Sequence, residues 1–426
     1  MLTEPWRDHA YALIRNMGTA QDQVVTLPAD FAQWPEERAR AYAPRMLEEV
    51  EQALTRSKKL AHTEAAVELT TETVGQVSLV GGIEDLDRVQ ALFAQKQWTD
   101  GLPIVVPTEA RVQAMMGAVQ RQPSEVVGLL APQWGAATIE KLAVNAVMAG
   151  CRPEYFPVVV AAVEAIADPA FDLLAHATCG SSTTPLFVVN GPVRKALDMS
   201  SGYGVFGAIA PANATISRAL RLIRLNIGGQ IPGLTSMSTF GYPGGGMGLC
   251  IAEDEEHNPW DPLHVQRGFQ REDSTVTVAG ILTFQNVCHQ HTKQPDSLLT
   301  IIASAIANMA YRVFDQDPLD VGNVLVMLSP GYAQRFAAAG YSLRDIQVAV
   351  RDRARLPLAE FPQEVVPNLR KGKRIGGDWV YSVAHPEQLV IFVAGGFKGS
   401  SIGSEPAIVM HTNHQDWKIV TKKVSL

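Results

Sequence analysis

Cysteine is scarce in this chain: Cys151, Cys179, Cys250 and Cys288 are the four in 426 residues, far apart and with no Cys-x-x-Cys. That excludes a disulfide framework and the common zinc-ribbon spacings. A basic excess is missing too, since 36 Lys+Arg stand against 43 Asp+Glu for a formal net charge of -7. Nucleic acid and anionic membrane surfaces both call for a basic patch, so neither is expected as a partner. No run reaches the roughly 18 apolar residues of a membrane span. The best stretch, Phe156 to Ala167, carries Glu164. Residues 1–15 hold acids, a proline and a tryptophan where a secretory signal needs an apolar core. The expectation is a cytoplasmic protein with reduced thiols.

What is present is an ordinary globular composition, 46% hydrophobic and 19% charged, punctuated by 34 glycines and 26 prolines. The length suggests two to three domains. Residues 1–98, rich in Glu, Arg and Ala around Pro44, read as an N-terminal helical arm. Beyond it a unit recurs: a short apolar strand, then a turn of small residues or proline, at residues 102–106, 186–189, 324–328 and 389–393. The first three lead into amphipathic helices. Such units predict an α/β fold with parallel or mixed sheets covered by helices, divided as 99–270 and 271–426. Ligands in these folds sit outside the carboxyl ends of the strands, which places the Asn190-Gly191 turn in a substrate site. Helices are expected over 138–149, 155–167 and 214–227. The last carries Arg218, Arg221 and Arg224 as one stripe, either a solvated or subunit-facing surface of a homo-oligomer or a grip on an anionic substrate.

Four segments have the composition of chemistry. The loop at 176–185 packs Cys179 among Gly, Ser and Thr, where backbone N–H groups or His176 would favour thiolate; a polar loop leading into a strand is the plainer alternative. The run Glu253-Asp254-Glu255-Glu256-His257 follows an apolar stretch. If extended, it puts Glu253 and Glu255 on one face, a like-charge pair that would split acid and base roles. Glu256 with His257 or His264 would instead suit a divalent metal, and a solvated acidic loop would need neither. His289-Gln290-His291 sets two imidazoles on one face of a strand, a pattern for metal ligands without a visible third. Gly395, Gly396, Lys398, Ser400 and Ser401 follow a strand and suit an anion cradle of backbone N–H groups. Neither the Walker spacing nor Gly-x-Gly-x-x-Gly occurs, which demotes nucleotide-dependent readings.

Residues 99–109, 137–155, 213–222, 250–256 and 273–278 carry a resemblance. Across about 99–401 the chain resembles a family of bacterial α/β proteins associated with partners bearing a Sec/Cys-Gly-Ser-Cys motif. The resemblance implies thiol chemistry and a partner thiol protein; here the matching loop reads Cys179-Gly180-Ser181-Ser182. Taken together, the expected function is a lyase or hydrolase cleaving or hydrating a polar bond in a small anionic organic substrate. Cys179, Glu253, Glu256 and His257 would be its catalytic groups, and Asn190, Gly191 and the 395–401 loop its binding groups. A divalent-metal enzyme using His289 and His291, and a non-catalytic subunit stabilising a partner enzyme, are the alternatives.

Overall fold

The computed structural model describes residues 2–3, 25–28, 30–31, 34–55, 83–206, 210–241, 249–289, 292, 294–313, 322–371, 374–396, 406–412 and 418–425. The chain forms two compact units, Met1–Leu86 and Asp87–Leu426. In the first, β1 (Leu2–Thr3) pairs in parallel with β2 (Thr26–Leu27). Helix α1 (Glu36–Thr55) begins with two acids in its first turn and contains Pro44. Its start is anchored by Trp34 edge-on to Tyr42, with ring centroids 5.3 Å apart. Residues 70–80, whose loose alternation in the sequence is strand-like, lie outside the described residues.

Helix α2 (Ile83–Gln95) crosses the boundary between the units. The apolar run at 102–106, expected as a strand, joins no sheet. Pro103 and Pro107 remove ladder donors on either side of it. Instead the Gln90 amide brackets Ile104, donating to its carbonyl at 2.8 Å and accepting its N–H at 3.0 Å. Helix α3 (Glu109–Met116) and a hairpin of β3 (Val126–Leu130) and β4 (Gly135–Thr138) follow. Thr138 then caps α4 (Ile139–Ala149), its hydroxyl accepting the Lys141 N–H, and Gly150 ends the helix in the left-handed conformation. Helix α5 (Phe156–Ala167) is buried along almost its whole length, and α6 (Leu173–Thr178) precedes the first sheet.

Two four-stranded sheets carry the second unit. The first contains β5 (Thr184–Asn190), β6 (Leu249–Ala252), β7 (Thr275–Ile281) and, at its edge, a strand from the chain's end. The second contains β8 (Gln285–Val287), β9 (Val324–Leu328), β13 (Leu389–Val393) and β14 (Ala407–His411). Between β9 and β13 a separate three-stranded sheet forms from β10 (Arg355–Pro357), β11 (Ile375–Gly376) and β12 (Trp379–Tyr381). The edge strand of the first large sheet is β15 (Val420–Lys423).

The two large sheets repeat one plan. β5 lies parallel to β6 and antiparallel to β7, which pairs with β15; β9 lies parallel to β13 and antiparallel to β14, which pairs with β8. Each last strand comes from the other half. β8 follows β7 directly but joins the second sheet, and β15 follows β14 but joins the first. The boundary expected at residue 270 therefore falls inside the first sheet, and the two halves are interleaved.

Strand alternation builds the layers. Phe187, Val189, Cys250, Ala252, Val276 and Val278 face α4, α5 and helix α8 (Pro211–Asn226), which follows the short α7 (Val193–Ala196). Leu186, Val188, Ile251, Ala279 and Ile281 face the opposite way. There they meet Leu325, Met327, Phe392 and Met410 of the second sheet in a shared core. The second sheet's other face, with Val326, Leu328, Ile391 and Val409, packs against helices at 295–313, 330–338 and 343–353. The fold is α/β with mixed sheets, as expected, but each sheet is covered by helices on one face and by the other sheet on the second.

Candidate functional site

The carboxyl ends of β5, β6, β9 and β13 converge. Beyond β6 the Glu253 N–H donates to Val189 O at 3.2 Å, and beyond β13 the Ala394 N–H donates to Leu328 O at 3.0 Å. The Asp254 N–H then crosses from the first sheet to the second, donating to Val393 O at 2.8 Å. The acidic run thus lies where the two sheets are joined.

Glu253 continues the inward face of β6 and is fully buried. Its carboxylate collects four donors: Asn190 Nδ2 at 2.6 Å, Leu263 N at 2.8 Å, Asn258 Nδ2 at 2.9 Å and Val393 N at 3.4 Å. Burial pushes this carboxyl up to about 7, against the pull of those donors. Glu255 reaches the same amide, Asn190 Nδ2 also donating to it at 3.0 Å, but by way of a turn over 255–257 and not by the extended alternation expected. The Gly191 N–H donates to Glu255 at 2.7 Å, and Arg194 forms an ion pair with it, with Nε 3.0 Å from the carboxylate. Gly191 holds a left-handed φ of 81°, and an added Cβ would stand 2.1 Å from Asp273 O.

Arg194, only 5% exposed, ties the run together. Its Nη1 donates to the Glu253 carbonyl at 2.8 Å, and its fork reaches Glu256 at 3.0 and 3.2 Å. Lys195 adds a contact to Glu256 at 2.8 Å. The Arg194 hydrogen bonds hold Glu256 down at about 2, so it stays ionised and cannot serve as an acid near neutrality. Most of the run is therefore a hydrogen-bonded knot, and neither a solvated loop nor an open acid–base pair. Arg194 had no visible signal in the sequence: it stands beside Lys195 on a four-residue helix some sixty residues before the acidic run.

One pair in the run is differently placed. Asp254 is 5% exposed, and both its oxygens lie 2.9 Å from Nδ1 of His257. The His257 side chain is 36% exposed. Across the junction stand Gly395 and Gly396, both left-handed, with the Gly395 N–H donating to Ser201 O at 2.7 Å. Lys398, Ser400 and Ser401 lie outside the described residues.

Cys179 is elsewhere. It follows α6 at the amino end of β5, whereas Glu253 sits beyond the carboxyl end of that strand's partner, roughly 20 Å away at 3.3 Å per residue. The two do not share a site. Nor can His176 supply the cation that a thiolate would need. It is buried and stacked on Phe171 at 4.4 Å, and burial pushes it down to about 3, so it is neutral. His289 Nδ1 accepts the Thr292 N–H at 3.2 Å, and His291 is outside the described residues. Among the described residues, no three His, Cys, Asp or Glu side chains come together as metal ligands. A cleft of about 400 Å³ is lined by Arg121, Pro157, Val160, Glu164 and Lys423, the last in register with Thr275, which faces Asn190 at the end of β5. Arg121 is paired there with Glu164 and Lys423 with Asp273.

No protein-family model matches this chain, and no curated protein does. The candidate site stands on its geometry.

Proposed function

We propose that the chain is an enzyme that cleaves or hydrates a polar bond in a small molecule, using His257 as the proton-transferring group and Asp254 as the residue that orients it. The observation carrying this reading is the pair itself. A buried carboxylate accepting from Nδ1 keeps the proton of the neutral ring on that nitrogen, which leaves Nε2 as a lone-pair base on the exposed side. The knot beneath supports it, because Asp254 is held by Val393 O and flanked by Glu253 and Glu255, whose positions are fixed by Arg194 and Asn190. A base set on so rigid a base plate keeps its geometry through a catalytic cycle.

The test is substrate depletion. The purified full chain is incubated with a mixture of small hydroxy, keto and amino acids and their esters, and consumption is followed by mass spectrometry. His257→Gln and Asp254→Asn should each lose ~100-fold or more in rate, with melting temperatures close to the parent's. Variants that consume the same compound at the parental rate would remove the pair from the chemistry.

A further inference from the structure

The arginine stripe of α8 is divided by its partners. Arg218 grips Asp100 in a fork at 3.0 and 3.2 Å, and Arg221 reaches the same carboxylate at 3.9 Å. Among the described residues Arg224, one turn further, meets no carboxylate. Its one hydrogen bond among the described residues is Nη1 to Gln230 Oε1 at 3.3 Å, and its Nε is sealed from solvent with no acceptor. Arg221 stands near enough to repel it, and burial with that repulsion pushes its guanidinium down to about 10. A guanidinium offers five donors and is costly to bury without a counter-charge. Ser238, in the loop that follows Gln230, has a second sealed and unpartnered hydroxyl. Its neighbour Thr239 donates to Gly180 O at 3.1 Å, which sets this loop beside the Cys179 turn.

We infer that Arg224 anchors a binding site for a small oxyanion, a phosphate or carboxylate group, at the amino-terminal edge of the first sheet. The site is separate from His257. The Pro211 end of α8 neighbours the strand ends, since Asn213 accepts the Ser200 N–H and Ser200 O accepts the Ala252 N–H. Arg224 is thirteen residues along, about 20 Å at 1.5 Å per residue. With Nε sealed, the unused donors on Nη1 and Nη2 give an oxyanion a planar two-point contact, the arrangement for which guanidinium is suited.

The experiment titrates inorganic phosphate, and separately malonate, into the full chain by calorimetry at constant ionic strength, which holds screening fixed. The parent should bind at least one of them. Arg224→Gln should weaken that binding at least ~tenfold while melting no lower than the parent in anion-free buffer, because it removes a half-buried charge that has no carboxylate partner among the described residues. Gln230→Glu supplies an internal carboxylate to the same guanidinium; it should raise the melting temperature and abolish anion binding. Phosphate alone would assign a phosphate site, and malonate alone a carboxylate site. The inference is overturned if the parent binds neither anion, or if Gln230→Glu binds as tightly as the parent.

Discussion

At the scale of single residues, the stability of the strand-end knot rests on charges whose partners are already in place. Arg194 answers Glu255, Glu256 and the Glu253 carbonyl at once. Arg194→Met keeps the volume but leaves Glu255 buried without its cation, which costs about 3–5 kcal/mol; urea denaturation at pH 7 measures it. An unchanged midpoint would mean that water enters and takes over those contacts. Glu253 gives a pH signature of opposite sign to Glu256. Its folded pKa, about 7, lies above the ordinary 4.5, so between those values the folded state holds a proton that the unfolded state has released. Stability should therefore fall as pH rises from 4.5 to 7, by about 3 kcal/mol from this group. Glu256, held near 2, contributes stability above 4.5 that is lost only as pH falls toward 2, outside that window. Relative to the parent, Glu253→Gln should flatten the 4.5–7 limb even though it destabilises the fold, since its amide would point N–H groups at existing donors. A parallel pair of pH curves would refute this assignment. The thiols divide as simply. Desolvation of the sulfur pushes Cys151 up to about 12, although the residue as a whole is half-buried like Cys179, and raises the buried Cys250 as well, whereas Cys288 is exposed. Iodoacetamide at neutral pH should label Cys288 and Cys179 well before the other two, as peptide mass mapping would report.

At the scale of elements, the close approach of α6 to the first sheet is the most brittle contact. Gly280 on β7 lies under the His176 ring, and a Cβ there would stand 1.7 Å from the imidazole. Gly280→Ala should therefore displace α6 and destabilise the unit by more than about 2 kcal/mol, and restoring space with His176→Ala should recover part of the loss. If both variants melt like the parent, α6 is not held in this way. The same elements explain what a reader of the sequence sees. β5, β9 and β13 are legible because strands covered on both faces are largely apolar, α4 and α8 because their periodicity is strong, and α5 because it is a nearly all-apolar run of helix length. Whether a helix or a sheet supplies the second cover is not legible, since Leu186 facing a sheet and Val189 facing a helix are chosen by the same hydrophobic rule. The acidic run stands out by its composition, but the turn over 255–257 that brings Glu255 to the Asn190 amide is not legible in it. Arg194, contributed by α7 some sixty residues earlier, came to it only through the fold. Cys179 and Glu253 fall apart because the Cys179 loop precedes β5 while the acidic run follows β6, so that they lie at opposite ends of two parallel strands.

At the scale of the second unit, the exchange of edge strands makes a claim about folding. Neither half can complete its own sheet, because β15 closes the first and β8 closes the second. The strand ends reinforce the exchange: Asp254 N–H to Val393 O and Gln266 Nε2 to Ile391 O at 3.0 Å join the halves through backbone groups that would otherwise be buried without partners. Opening one sheet therefore exposes the apolar face of the other, and the two should unfold together. The two cores can be reported separately. Cys250 is buried in the outer core of the first sheet, and Ala303 in that of the second, so Ala303→Cys places a second thiol there. Pulsed alkylation across a urea series should give coincident midpoints for the two thiols. A fragment of residues 87–270, which lacks β7 and β15, should show no cooperative transition of its own. Midpoints that separate, or a fragment that melts cooperatively, would mean that the halves are autonomous and that the exchanged strands only decorate their edges.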